Sequence, residues 1–338
     1  MTRRRRAAWV ILAVVILAAA GIVTAVRLLG SGGPATFVAT HPGQPAVSVA
    51  FDPRGMLLAC GDANGHVYVW NTATGRQVAN LATGGADVIS VAFSPDGTLV
   101  AAGDKNGTAY LWNVASGKLA VTLTDPGSDS SVNSVAFSPS GTMLATGDLD
   151  ASAYLWNVAS HKLVATLTGP GRTETVNSVA FSPDGTMLAV GDDIGSTYLW
   201  NVVSRKLIGT LADPNQGDAG STQVDSVAFS PDGTTLAAGD LDGSTYLWDV
   251  NTRNITATLT QPDGAGVAMA AFSPNGEQVA VGDAIGHNTY VWDTGTRQLI
   301  ATLAGPGPYL VDDVAFSPSG KAVAVAGGNG TVYLWHVP

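Results

Sequence analysis

One unit recurs seven times along the chain, and this repeat restricts the possible folds more than any other feature of the sequence. Each copy has a phenylalanine and, 19 residues later, a tryptophan; the spacing is 20 residues in the sixth copy. Successive phenylalanines lie 42 to 48 residues apart, at Phe51, Phe93, Phe137, Phe181, Phe229, Phe272 and Phe316. The tryptophans are Trp70, Trp112, Trp156, Trp200, Trp248, Trp292 and Trp335. A period of this length predicts stacked copies of one supersecondary unit.

The copy at residues 224–259 shows how one unit is built. It holds four short runs rich in β-branched and aromatic residues, which favour β-strands. Pro231-Asp232-Gly233 separates the first two runs and Asp242-Gly243 the second and third, and both segments are turn signals. The pattern predicts a four-stranded antiparallel meander whose two faces must be covered by neighbouring copies. We therefore predict an all-β fold, a seven-bladed β-propeller of four-stranded antiparallel blades.

The repeated residues also carry a family resemblance. Phe-Ser-Pro-Asp-Gly at 229–233 and Tyr-Leu-Trp-Asp at 246–249 resemble motifs of the WD-repeat family, over about residues 36–338. The resemblance implies protein–protein interaction as the function. WD repeats often place a Gly-His pair before the first strand, and its histidine bonds a Ser or Thr, a turn Asp and the Trp. Four of the corresponding loops have no histidine and read Gly169-Pro170, Asp125-Pro126, Asp213-Pro214 and Gly305-Pro306, so we expect this network to be altered.

The two ends of the repeat region predict how the ring closes. Residues 35–43 align with residues 163–171, which are the fourth strand of a copy and its exit loop. The chain ends just after a third strand, at 332–335. We therefore expect a strand at 36–40 to complete the last blade of a propeller spanning 35–338, which would also cover an open sheet edge.

The N-terminus predicts a membrane anchor. Residues 1–6 form a basic tail with four arginines, and we expect a transmembrane helix at 7–29 followed by a flexible linker at 30–34. The arginine bias predicts a cytoplasmic tail and an extracytoplasmic propeller in the cell membrane, with the helix as an uncleaved signal anchor. The alternative is a signal peptide cleaved near Ala18-Ala19-Ala20, which would make the protein secreted.

Charge and cysteine content exclude some classes of function. Residues 34–338 hold 11 basic and 26 acidic side chains, a net charge of −15, which argues against nucleic acid as a partner. A single cysteine, Cys60, excludes an intrachain disulfide. The five histidines are scattered without metal-ligand spacing, and we find no catalytic motif. We therefore predict no catalytic residue, no cofactor and no metal site.

The loops between copies differ most in length, and we expect partner specificity there. We predict that the inter-blade loops lie on one face, pointing away from the membrane. The candidate partner-binding residues on this loop-rich face are Asp62, Asp104, Asp148, Asp192, Asp240, Asp283, Arg172, Glu174, Asp218 and Tyr309.

Six of these candidates follow a glycine at the end of the second strand, and they have two interpretations. They could form a broken acidic ring for a cationic partner or an ion, or each could accept backbone N–H bonds in its own hairpin or the adjacent inter-blade loop, which we favour. Asp148-Leu149-Asp150 and Asp240-Leu241-Asp242 resemble the opening of a calcium loop, but without its downstream glutamate they are interpreted as turns.

The sequence as a whole predicts a membrane-anchored, non-catalytic scaffold, a monomeric propeller that binds a protein partner of unknown identity. The alternative is an enzyme or ion-dependent propeller with its site in the central channel. Fold alone does not decide between them.

Overall fold

A computed structural model describes residues 35–38, 45–127, 130–171, 175–214, 222–262, 266, 268–305 and 310–338. Its 28 described strands form seven four-stranded antiparallel sheets, which confirms the predicted propeller blades. The basic tail, the segment 7–29 and the linker lie outside the described residues. No helix within the described ranges has the length and hydropathy to cross a bilayer.

Blades 1 to 6 each contain four consecutive strands, and blade 7 takes its fourth strand from the N-terminal end. The first strands are β2 (Ala46–Phe51), β6 (Val88–Phe93), β10 (Val132–Phe137), β14 (Val176–Phe181), β18 (Val224–Phe229), β22 (Ala268–Phe272) and β26 (Val311–Phe316). The second strands are β3 (Leu57–Asp62), β7 (Leu99–Asp104), β11 (Met143–Asp148), β15 (Met187–Asp192), β19 (Thr235–Asp240), β23 (Gln278–Asp283) and β27 (Ala322–Gly327).

The outer two strands of each blade follow the same order. The third strands are β4 (His66–Asn71), β8 (Thr108–Asn113), β12 (Ser152–Asn157), β16 (Ser196–Asn201), β20 (Ser244–Asp249), β24 (Asn288–Asp293) and β28 (Thr331–His336). The fourth strands are β5 (Gln77–Ala82), β9 (Lys118–Thr124), β13 (Lys162–Thr168), β17 (Leu207–Ala212), β21 (Ile255–Thr260), β25 (Leu299–Ala304) and, for blade 7, β1 (Ala35–Val38).

The core is divided among the interfaces between blades. Seven apolar clusters are buried, one for each pair of neighbouring blades, including the pair formed by blades 7 and 1. Between blades 1 and 2, for example, Val67 and Leu81 pack with Val88, Val100 and Trp112. Each sheet therefore depends on both of its neighbours to remove its apolar faces from water.

The glycine before five of the six recurrent aspartates lets neighbouring blades approach closely. A Cβ added to Gly103 would lie 2.5 Å from Val132 Cγ1 on the next blade, and one added to Gly61 would lie 2.4 Å from Val88 Cγ1. Carbon atoms at such a distance would overlap, so a larger residue would force the blades apart.

β1 closes the ring. It runs antiparallel to β28, with Ala35 opposite Leu334 and Val38 opposite Thr331. The strand is described at 35–38, and residues 39 and 40 of the predicted strand lie outside the described residues. Thr36 pairs with Tyr333 in blade 7, and Thr166 pairs with the equivalent Tyr154 in blade 3. Thr36 therefore corresponds to Thr166, whereas the alignment of 35–43 with 163–171 matched it to residue 164 and was wrong by two residues. Strand patterns repeat every two residues, so matching by residue type does not fix the register.

Candidate functional site

Two kinds of connection meet on one face of the propeller, which we call the loop face. It consists of the inter-blade loops and the turns between second and third strands at 63–65, 105–107, 149–151, 193–195, 241–243, 284–287 and 328–330. Backbone hydrogen bonds join them: the Leu149 N–H donates to the Ser131 carbonyl at 3.0 Å, and the Asp125 N–H donates to the Gly107 carbonyl at 3.1 Å. Among the described residues, bonds of this kind tie the ends of the inter-blade loops to the neighbouring turns.

Five of the six recurrent aspartates are acceptors within their own turns. Each is buried, and its Oδ1 atom accepts one or two backbone N–H bonds of the following turn at 2.6 to 3.2 Å. They are Asp62, Asp104, Asp192, Asp240 and Asp283. The backbone-acceptor interpretation is confirmed for these five. Asp148 is the exception, because neither of its carboxylate oxygens accepts a hydrogen bond.

Tyrosine hydroxyls reach the acidic groups of the loop face in several blades. The Tyr110 hydroxyl donates to Asp104 Oδ2 at 3.1 Å, and the Tyr154 hydroxyl donates to Asp150 Oδ2 at 2.6 Å. These bonds connect the third strand to its turn without the histidine that WD repeats often supply.

The ten candidate partner-binding residues are either buried or outside the described residues. Arg172, Glu174, Asp218 and Tyr309 lie outside the described residues, so partner contact through them stays a prediction. All six recurrent aspartates lie beneath the surface, at 0 to 1% exposure. A partner on this face would therefore meet the side chains around these aspartates before it met the carboxylates.

The structure shows which residues line the central channel, and none of them is among the candidates named from the sequence. A cavity of about 580 Å³ opens at the loop face and is lined mainly by the second and third residues of the first strands. In six blades the first strand has a β-bulge, so its second residue has no pairing partner on the second strand. All six of these bulged residues line the channel. They are Val47, Ile89, Asn133, Asn177, Asp225 and Asp312. Bulges commonly redirect a side chain in this way.

The third residues tie the blades together around the channel. A serine at this position accepts the backbone N–H of the next blade's first strand at 3.1 to 3.2 Å. The serines are Ser48, Ser90, Ser134, Ser178 and Ser226. In blade 7 Asp313 takes this role, with Val49 N–H and Ser48 Oγ both 2.9 Å from its Oδ2. Blade 6 has Met269, whose side chain lacks an oxygen acceptor, so the pattern is interrupted there.

We expect Ser134→Ala to lower the free energy of unfolding by about 1 to 2 kcal/mol, because the buried Val179 N–H loses its acceptor. Urea unfolding of the parent and the variant measures the difference. Ser134→Thr keeps a hydroxyl and should retain most of the stability. Equal losses in the alanine and threonine variants would contradict the role of this hydrogen bond.

Acidic side chains dominate the charge in the channel. Its lining includes Asp193, Asp225, Asp312 and Asp313 and no basic residue among those described. Burial raises the pKa of Asp225 and of Asp312 to about 7, and the Asp313 charge adds to the effect on Asp312. Burial also raises the pKa of Asp313 to about 6, although three donors oppose this shift. The channel mouth is therefore suited to positively charged groups.

The recurrent Val-x-Ser-Val-Ala-Phe pattern was the signal that could have revealed the channel. Its serine recurs although it lies in an otherwise apolar strand, and the last copy replaces x-Ser with Asp312-Asp313. The alternation of apolar and polar residues along a strand assigns every second residue to the protein core. It does not predict the β-bulge, which turns two adjacent residues toward the central channel.

Comparison with known families agrees with this geometry. The family model described as IFT122 first beta-propeller matches residues 45–265, and the model of the WD domain, G-beta repeat matches residues 297–336. The chain belongs to the WD-repeat β-propeller family. No curated protein sequence matches this WD-repeat propeller. Families of this kind are generally scaffolds that bind protein partners, which supports the coarse functional prediction.

Proposed function

We propose that this WD-repeat propeller is a non-catalytic scaffold that binds a protein partner on its loop face, with the channel mouth at the centre of the contact. The observation that carries this proposal is the pairing of an acidic channel mouth with exposed apolar side chains around it. Leu149, Ile194, Ile285 and Leu310 are 47 to 55% exposed, and all four lie on the loop face.

This combination fits a partner segment that has both basic and apolar residues. A lysine or arginine would enter the field of the channel aspartates, while apolar side chains would cover those of the loop face. The net charge of −15 over residues 34–338 would also accelerate the approach of such a partner at low salt.

The direction of β1 supports an orientation for the membrane anchor. Val38 pairs with Thr331, which directly follows a loop-face turn, while Ala35 pairs further along β28. The chain therefore enters β1 from the face opposite the loop face. We propose that residues 7–29 anchor the propeller in the cell membrane, with the loop face directed outward and the propeller outside the cytoplasm.

Binding can be tested by crosslinking the full chain in intact cells and identifying partners by mass spectrometry. We expect the double variant Ile194→Asp, Ile285→Asp to lower the crosslinked yield at least about tenfold, since it places charge in the apolar part of the contact. Val203→Asp is the matched control, because Val203 is 86% exposed in a turn on the opposite face. Equal yields for parent, loop-face variant and control would refute binding on the loop face.

The membrane topology needs a separate test. Protease added to intact cells should digest the propeller, whereas an intracellular propeller would be protected until the cells are lysed. A soluble, fully processed protein in the medium would instead support the cleaved signal peptide.

The acidic channel is also the place where the alternative function, an enzyme or ion-dependent propeller, would have its site. An enzyme or ion-dependent propeller would use Asp225, Asp312 and Asp313 as polar groups in the channel. A hydrolase substrate screen, with Asp312→Asn as the comparison, would reveal an activity that the scaffold proposal does not predict.

A further inference from the structure

Three carboxylates from two neighbouring blades meet on the loop face between blades 2 and 3. Asp125 follows β9 of blade 2, Asp148 ends β11 of blade 3, and Asp150 lies in the turn after it. One oxygen of each carboxylate lies within 4.8 Å of the corresponding oxygens of the other two. Asp125 and Asp148 are buried, and Asp150 is half-buried.

The buried oxygens at the centre of this group have no hydrogen-bond donor. Asp148 is 0% exposed, and neither its Oδ1 nor its Oδ2 accepts a hydrogen bond. Oδ2 of Asp125 is likewise buried without a donor. The nearby Thr146 hydroxyl accepts the Trp156 indole N–H at 3.3 Å. Burial, followed by the neighbouring Asp125, raises the pKa of Asp148 to about 10.

The remaining oxygens are held by the surrounding chain. Asp125 Oδ1 accepts the Gly127 N–H at 2.9 Å. Asp150 Oδ1 accepts the Ser152 N–H at 3.1 Å, and its Oδ2 accepts the Tyr154 hydroxyl at 2.6 Å. These bonds fix two of the carboxylates in place beside the unpartnered one. The arrangement therefore has a preorganised set of oxygen atoms around a buried centre.

The other repeats show that the hairpin does not need this acidic group. At the positions of Asp125 and Asp150, the interface between blades 3 and 4 has Gly169, after β13 of blade 3, and Ile194, beside Asp192 of blade 4. Asp192 then bonds the turn N–H groups as the other recurrent aspartates do. Only blade 5 has aspartate at the same three positions, which are Asp213, Asp240 and Asp242. In blade 5 Asp240 still accepts one backbone bond, from the Asp242 N–H at 3.2 Å. Of the six recurrent aspartates, Asp148 is the one with no hydrogen-bond partner on either carboxylate oxygen.

We propose that Asp125, Asp148 and Asp150 bind one Ca²⁺ ion at the interface between blades 2 and 3. Calcium takes oxygen ligands at about 2.3 to 2.6 Å, so two ligands on opposite sides of the ion can be about 4.8 Å apart. Its flexible coordination number allows water to complete a shell that these three side chains leave open. Mg²⁺ demands a smaller, near-octahedral shell and gives up its water reluctantly, which favours calcium here.

The test uses the full chain, purified in detergent, stripped with a chelator and titrated with CaCl₂ at neutral pH by calorimetry. We expect saturable binding, and Asp148→Asn should take up one ion per chain fewer than the parent. Asp192→Asn is the matched control, because it changes the same strand position where the two added carboxylates are missing. It should bind as many ions as the parent.

A second variant keeps the test decisive if Asp148→Asn does not fold. Asp150→Asn introduces the residue that blades 1, 2 and 7 have at this position, namely Asn64, Asn106 and Asn329. It should weaken calcium binding at least about tenfold by removing one charged ligand. The melting temperature should rise with calcium in the parent and in Asp192→Asn, and rise less in Asp150→Asn.

Three results would overturn the proposal. The parent could take up no calcium at concentrations up to about 10 mM. Calcium binding could be unchanged in both Asp148→Asn and Asp150→Asn. Mg²⁺ could bind this group as tightly as calcium does. None of these results bears on partner binding, which the loop-face variants test separately.

Discussion

Deleting residues 34–41 should lower the melting temperature by about 10 °C or cause the propeller to oligomerise. The deletion removes β1, whose residues 35–38 pair with β28 along Leu334 to Thr331. Blade 7 would then have three strands, and the backbone N–H and C=O groups along that edge of β28 would lose their partners. An unpaired edge of this kind is a template for pairing with another chain. Losing one pairing and its packing costs a few kcal/mol, or about 2 to 4 °C for each kcal/mol in a domain of this size.

Thermal unfolding monitored by circular dichroism, together with light scattering, measures both outcomes. The control replaces residues 30–34 with a Gly-Ser segment of the same length, which keeps β1 and should melt like the parent. If the deletion variant were monomeric and as stable as the parent, β1 would not be needed to close the ring.

The propeller should become more stable as the pH falls from 8 to 5. The pKa values of Asp225 and Asp312 are raised to about 7 and that of Asp313 to about 6, mainly by burial in the channel. An unfolded aspartate has a pKa of about 3.9, so between these values the folded chain holds protons that the unfolded chain has released. The stability that these groups contribute is therefore complete below about pH 4 and is lost as the pH rises through 6 and 7.

Asp225 and Asp312 should each contribute on the order of 2 kcal/mol to this change, so the melting temperature should rise by roughly 5 to 10 °C. Asp148 and Asp240 contribute in the same direction, because burial raises their pKa values to about 10 and about 9. Melting temperatures measured at intervals between pH 5 and pH 8 give the profile.

The repeats provide a conservative control for the channel. Asp225→Asn and Asp312→Asn introduce the residue that blades 3 and 4 have at the bulge, and Asp313→Ser introduces the residue of five other blades. The triple variant should melt at a higher temperature than the parent at pH 8 and should show a flatter profile, in which the contributions of Asp148 and Asp240 remain. A triple variant whose profile parallels that of the parent would show that the channel carboxylates do not cause the dependence.

Much of the fold was predictable because each copy repeats the same local signals. Pro231-Asp232-Gly233 and its equivalents mark turns, and the Phe-to-Trp spacing locates the first and third strands in every copy. The hairpin role of five recurrent aspartates also followed from local chemistry, since a short carboxylate after a strand can reach the N–H groups of the next turn. The register of β1 did not follow, because it depends on a strand almost three hundred residues away.

Sequence alone determined the number of blades, the order of strands within each blade and the need for an additional strand in the last one. These follow from local periodicity and from counting strands. Tertiary structure decided which side chains share a space: the bulged residues that line the channel, and Asp125 beside Asp148 at a blade interface. The physical reason is that both groupings join residues of different blades, and their distances are set by how the sheets stack around the axis.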